Sequence, residues 1–407
     1  MSRTDSDVSH WATDFNHADP AYNPNAHAIW DELRDGGCPV AHSDRYGGMW
    51  APLTHELVHE VAYDTDHFTS NGVIVSNARP GIGAPVGPAP PITSDPPFHQ
   101  IARRLLLPPF SPKSIDPWEP DVRRLCDALL DRIGEVTPGE SIVDAAVQYA
   151  QSIPVNVIAR MLGFPPEDEA LFRQFVHQVI EDVDLPVDER LASFDELDAY
   201  LDRQIEEHLE HPRDDLTSYL LGVELDGNKL AHEHVRGSIV LLLIAGIDTT
   251  WSAIGSSLWH LATHPGDLAR LVAEPDVMLF ALEEFLRMYA PVTMARLVKD
   301  DYDFHGCPMK ADEWVLLPFP AANHDPEFFE RADEFVIDRA ENRHAAFGLG
   351  IHRCLGSNLA RLELKVAIEE FVRRFPSFEL AGDVTWSKGQ IRGPRQLPVR
   401  IIETVLT

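Results

Sequence analysis

Cysteine is scarce in this 407-residue chain: Cys38, Cys126, Cys307 and Cys354 lie far apart and form no CxxC pair. That spacing matches none of the common zinc motifs. Positive charge is short as well, with 34 Lys and Arg against 65 Asp and Glu and a formal net charge of −31. Nucleic acid and anionic membrane surfaces, both polyanions, are poor partners for such a chain. Long hydrophobic runs are missing. The most apolar stretch, Ile239 to Ile247, stops at Asp248, well short of the roughly 20 residues that span a bilayer. The first residues, Met1-Ser2-Arg3-Thr4-Asp5-Ser6-Asp7, hold no apolar signal core, so a reducing cytoplasm is the expected compartment. No internal repeat is present.

What the chain does have is a globular composition, 44% hydrophobic and 24% charged, and enough length for a large core. Length alone allows one large domain or two to three smaller ones. Residues 1–20 read as a polar tail. Helical spacing follows at Ala26–Arg34 and Glu56–Ala62, with strand-like runs at Gly47–Leu53 and Glu313–Pro318. Residues 117–225 form a succession of amphipathic helices, two of them joined through Glu181–Glu189. Asn71–Pro97 is crowded with Gly and Pro, yet it carries Val73, Ile74, Val75, Ile82, Val86 and Ile92. A long irregular segment with that apolar content is expected to contact substrate.

The chemistry concentrates in Phe347-Gly348-Leu349-Gly350-Ile351-His352-Arg353-Cys354-Leu355-Gly356. A cysteine ends a glycine-punctuated loop, and an apolar helical pattern (Leu355, Leu359, Leu362, Val366) starts directly after it. Sulfur at a helix start meets unpaired N–H groups and the positive end of the dipole, which favour thiolate. The longest helical pattern, His232 to Ala262, is interrupted by Ala245-Gly246-Ile247-Asp248-Thr249-Thr250. Gly, Asp and Thr are poor residues for a helix interior. Two readings stay open: a functional interruption, or a packing glycine beside a Thr bonded back to the preceding turn. His99 and Arg103, four apart after Asp95-Pro96-Pro97, share a helix face, as do Glu284 and Arg287. Spacing alone does not separate either pair from a solvated one.

The string Phe-x-x-Gly-x-x-x-Cys-x-Gly resembles the heme-ligand loop of the cytochrome P-450 family, and the other motifs follow in that family's order. The resemblance implies a mostly α fold with a small β region, and one domain over residues 21–407. It implies heme b ligated by Cys354, seated among Phe347, Gly348, His352, Gly356, Ala245 and Gly246, with propionates held by His99, Arg103 and Arg296. Dioxygen would be co-substrate, with Asp248 and Thr249 as proton-relay acid and alcohol. Glu284 and Arg287 resemble a buried pair completed by Arg339. Candidate substrate residues are Val73, Ile74, Val75, Leu242, Ala245, Val292, Met294 and Gln396; Arg79 and Arg392 would either pair with a substrate carboxylate or, as loop arginines usually do, face water.

The implied activity is hydroxylation or O-dealkylation of a small-to-medium apolar molecule by a monomer. Electrons would come from a separate ferredoxin and its reductase, since no flavin-binding region remains. A basic patch of Arg343, His344, His352, Arg353, Arg361 and Lys365 would dock that partner. A peroxide-driven enzyme and a heme-based sensor are the alternatives, and both have less use for the Asp248–Thr249 pair.

Overall fold

Apolar residues at helical spacing produce one dominant element, a 32-residue helix over His232–Thr263, and the other elements are layered on it. The computed structural model describes residues 7–36, 39–76, 88–183, 185–225 and 227–405, with the backbone only of residues 187, 190, 191 and 193. Cys38, Arg79, Ile82 and Val86 lie outside the described residues. The first α-helices are α1 (Trp11–Asp14), α2 (Tyr22–Asp35), α3 (His55–Tyr63), α4 (Phe98–Leu106) and α5 (Pro112–Ile115). Next come α6 (Glu119–Ile133), α7 (Ser152–Leu162), α8 (Glu169–Ile180), α9 (Val187–Glu210) and α10 (Leu216–Gly222). The long helix is α11, followed by α12 (Pro265–Ala273), α13 (Met278–Met288), α14 (Phe319–Asn323) and α15 (Ser357–Arg374).

The β region is small. Strands β1 (Val40–Ser43), β2 (Met49–Pro52) and β3 (Phe68–Thr69) join β7 (Thr293–Val298) and β10 (Trp314–Pro318) in a five-stranded sheet, ordered β1-β2-β10-β7-β3. A three-stranded sheet holds β4 (Ile142–Asp144), β11 (Ser377–Leu380) and β14 (Pro398–Glu403). Three hairpins complete it: β5 (Glu224–Leu225) with β6 (Asn228–Lys229), β8 (Tyr302–Phe304) with β9 (Cys307–Met309), and β12 (Thr385–Trp386) with β13 (Pro394–Gln396). The fold is thus mostly α with small sheets.

Among the described residues α11 alone is long and apolar enough to cross a membrane, and 67% of its most apolar window is buried inside the protein. It packs on α7, α8, α9 and α15. A helix apolar nearly all round needs partners on every side, and these supply them. The polar tail drawn over residues 1–20 does not describe Trp11–Pro20. Trp11 and Phe15 are buried with Tyr22 and Trp30 in a cluster under the five-stranded sheet. Two aromatics among acids have too little pattern to be read as core, but their rings need burial once the sheet offers a surface.

Glu363 on α15 is buried with no partner for Oε2, and burial pushes its carboxyl up from 4.5 to about 8. Between those values the folded chain keeps a proton that the unfolded chain has released, so this group makes stability fall as pH rises through that window. Glu363→Gln removes the loss. Its advantage over the parent in urea unfolding is expected to grow from about pH 5 to about pH 8; an advantage independent of pH would contradict the assignment.

Candidate active site

The cysteine loop is closed by its own backbone. Gly348 N–H donates to the Ala345 carbonyl at 2.8 Å and Cys354 N–H to the Phe347 carbonyl at 2.7 Å. Gly350 has a φ of +68°, and a Cβ there would collide with the Ala62 carbonyl of α3, so only glycine lets the loop lie on that helix. Arg361 stacks its guanidinium 4.4 Å above the Phe347 ring. The Cys354 side chain is exposed although protein surrounds it closely. Burial pushes its thiol up, opposed by the Gly356 N–H and by Arg103, Arg353 and Arg361. In the protein alone, desolvation outweighs the Gly356 N–H and the three cations. A bound metal cation would restore thiolate.

Beside the sulfur lies a cluster of two arginines and two histidines. His99 on α4 is buried, and neither ring nitrogen has a well-formed hydrogen bond. Its ring packs edge-on to His352 at 4.3 Å. Burial, then Arg103 and Arg296, push the His99 pKa down to about 4. Burial and the same neighbours push His352 down to about 2, while its Nε2 is 2.9 Å from Ser70 Oγ. Arg296 on β7 is buried, donates to the Ala295 carbonyl at 2.7 Å, and is lowered to about 10 by desolvation. Arg103 donates to the Arg353 carbonyl at 2.6 Å. Among the described residues no carboxylate forms an ion pair with Arg103 or Arg296; nearby Asp95 accepts from Thr69 Oγ1 and Ser70 N.

A cavity of about 400 Å³ opens here, lined by His99, Arg103, Gly350 and Ile351 among others. Cationic groups buried without counter-charge are costly, and Arg in particular matches carboxylate geometry. The donor set fits a group that carries carboxylates at its edge and takes a sulfur ligand. Heme b has both properties.

On α11, Ala245 is exposed although Ile244, Ile247 and Asp248 around it are buried. Thr249, one turn on and so on the same face, donates its hydroxyl to the Ala245 carbonyl at 2.9 Å. Gly246 is turned elsewhere. A Cβ on it would meet Ile158 of α7 at 3.1 Å, so the absence of a side chain serves helix packing. Asp248 is buried, with its Oδ1 2.7 Å from Arg395 Nη2. Arg395 was not singled out in the sequence, nor were Ser70, Asp95 and Gln390. The signal available for Arg395 was strand alternation, which sets it and Gln396 on opposite faces.

This parity removes Gln396 from the candidate substrate wall, since it is exposed and contacts Thr385 on the outer hairpin at 3.0 Å. Val75 is removed as well. It is fully buried with Trp314 and Ala295, and its N–H is held by Gln390 at 2.5 Å. Val73, Ile74, Val292 and Met294 remain partly open, and Leu242 is buried close to Ala245 along α11. Arg392 does not face water. It is buried, stacks 4.2 Å from Trp386 and donates to the Asn23 carbonyl at 2.8 Å.

The basic patch is thinner than its sequence suggested. Arg361 and His344 both bond Glu283, Lys365 lies 3.7 Å from Glu119 and Glu369, and His352 faces the cation cluster. Arg343 and Arg353 are exposed, without an ion pair among the described residues, as is Arg104 beside the cavity. Glu284, Arg287 and Arg339 come together. Arg287 forks onto Glu284 with two 2.8 Å bonds, and Arg339 Nε reaches the same carboxylate at 2.9 Å.

A cysteine at the end of a glycine loop, near two arginines that no carboxylate pairs among the described residues and two neutral histidines, is the arrangement expected of a heme-thiolate protein. Comparison with known proteins agrees: a family model described as cytochrome P450 matches residues 53–387. The chain is 35% identical over 323 residues to a vitamin D(3) 25-hydroxylase of Pseudonocardia autotrophica, covering 77% of this chain and 79% of that one. It is 32% identical over 361 residues to a steroid C26-monooxygenase of Mycolicibacterium smegmatis, with coverages of 86% and 87%. Its fold matches that of Bacillus megaterium CYP109E1 in complex with testosterone at a TM-score of 0.84 and 31% identity, over 93% and 98% of the two chains. The chain belongs to the cytochrome P450 family. It is a monooxygenase of the type that uses heme b, a cysteine thiolate ligand and dioxygen.

Proposed function

We propose that this protein hydroxylates or O-dealkylates a small-to-medium apolar organic molecule in the cytoplasm, with electrons from a separate ferredoxin and its reductase. The observation that carries the reading is the meeting of Cys354 with His99 and His352 and with Arg103 and Arg296, two arginines that no carboxylate pairs among the described residues. Cys354 would be the iron ligand, and the cluster would hold the propionates. When bound, heme supplies the dioxygen chemistry, and thiolate donation favours O–O cleavage.

The chain's own residues do the rest. Thr249 donates its proton to the Ala245 carbonyl, which leaves its lone pairs to accept a hydrogen bond. Asp248, pushed up to about 6 by burial, gains and loses a proton near neutrality, as a proton carrier must. Val73, Ile74, Leu242, Val292 and Met294 offer an apolar wall that excludes water and orients substrate. The substrates named for the relatives, vitamin D(3) and a steroid, support an apolar ligand of that size. Exposed Arg343, Arg353 and Arg104 supply a cationic docking face for an acidic redox partner.

The test is NADH consumption with a surrogate ferredoxin and reductase, with product analysis over a panel of apolar compounds. Substrate-dependent turnover is expected, slowed about a hundredfold in Asp248→Asn. Equal turnover with peroxide alone would remove the ferredoxin from the reading, and an unimpaired Asp248→Asn would remove Asp248 as proton carrier.

A further inference from the structure

Two glycines let β13 press against α11. A Cβ on Gly393 would collide with Ser252, and one on Gly255 would come within 2.7 Å of Pro394. This close approach lays the Arg395 guanidinium over the Trp251 ring at 4.2 Å, with Nη1 3.2 Å from Ser252 Oγ. From there it reaches two carboxylates on different elements. Nε donates to Oε1 of Glu181, the residue that ends α8, at 2.6 Å. Nη2 lies 2.7 Å from Asp248 Oδ1, a close ion pair without a well-aligned N–H···O bond.

We propose that Arg395 is a positioning residue for Asp248, shared with Glu181, and that this sharing sets the proton affinity of the buried acid. Glu181 wins the competition. Burial would raise it, but His177 and Arg395 hold it down at about 2, so it stays ionised. Asp248 keeps the Coulomb attraction of Arg395 and only a poorly aligned contact with it, and feels the Glu181 charge against it. The groups that face it are Arg395 from β13 and Glu181 and His177 from α8. His177 is 59% exposed, 3.9 Å from Glu181 and 3.3 Å from Asp182, which brings the arrangement to the surface. A fully bonded Asp248 would stay ionised at working pH, and an unpaired one would stay protonated. Partial pairing leaves it able to do both.

The inference deepens the proton-carrier reading and rests on it for its effect on turnover. Its direct test is the carboxyl infrared band of the heme-loaded enzyme, titrated with pH and assigned by its loss in Asp248→Asn. Glu181→Gln frees Arg395 for Asp248 and is expected to lower the midpoint by about one pH unit. Arg395→Gln is expected to raise it by at least about one unit. Arg395→Lys, which keeps the charge, should fall between the parent and Arg395→Gln. A merely structural role would move the variants alike. Shifts in the same direction, or none, overturn the proposal, and Glu181→Gln alone decides it where Arg395→Gln does not fold. Opposite shifts with normal turnover in Asp248→Asn would leave the positioning role standing and remove only the proton-carrier reading.

Discussion

Replacing Cys354 by serine abolishes substrate turnover and removes the red-shifted Soret band of the reduced, carbon-monoxide-treated protein. The expectation follows from the neighbourhood rather than from the residue alone. Burial already disfavours a charged sulfur at this position, and three cations and one backbone N–H only partly offset it. A serine hydroxyl, far less acidic, cannot ionise there at all. No other described cysteine can substitute: Cys126 is a buried residue of α6 with its thiol pushed up to about 12, and Cys307 lies on β9 of the β8–β9 hairpin. The loop itself should survive, because its closing bond uses the backbone N–H of residue 354. Folding near that of the parent, with the spectral signature lost, is the expected pair of results. A variant that kept the red-shifted band would refute sulfur ligation.

Glu284→Gln is expected to cost about 3–5 kcal/mol of stability, since it leaves buried cations without their counter-charge. Glu284 and Arg287 are both fully buried. The carboxylate accepts from Arg287 twice, from Arg339, from Val336 N–H at 2.8 Å and from Asn342 at 3.0 Å. Arg287 in turn donates to the carbonyls of Asn323, Ala332 and Glu334. Asn323 continues the network by accepting the Ala345 N–H at 2.7 Å, at the entrance of the cysteine loop. Loss of Glu284 should therefore also weaken heme retention. Urea unfolding and heme content of the purified variant check both effects. A cost below about 1 kcal/mol would assign the trio to the class of ion pairs that contribute little.

The elements legible in the chain were those built from local pattern. Helical spacing at Ala26–Arg34 and Glu56–Ala62 lies within α2 and α3, and Glu313–Pro318 contains β10. The connection placed at Glu181–Glu189 overlaps the break between α8 and α9. The two readings left open for Ala245–Thr250 divide by residue: Gly246 is the packing glycine, and Thr249 bonds back to its own turn while sharing the exposed face of Ala245. Where strand parity mattered, one position was decisive. Gln396 turns out and Arg395 turns in, and a single residue of register moves a side chain to the other face. Arg361 read as a free cation because its partner, Glu283, lies on another helix.

By itself the sequence determined the family, the fold class and the position of the sulfur, because these rest on residues within a few turns of one another. Tertiary structure alone decided which charges are paired and how readily each buried group holds its proton. Arg395 and Glu181 are 214 residues apart in the chain and 2.6 Å apart in space. Desolvation and Coulomb energy depend on that second distance, and no local pattern in the chain records it.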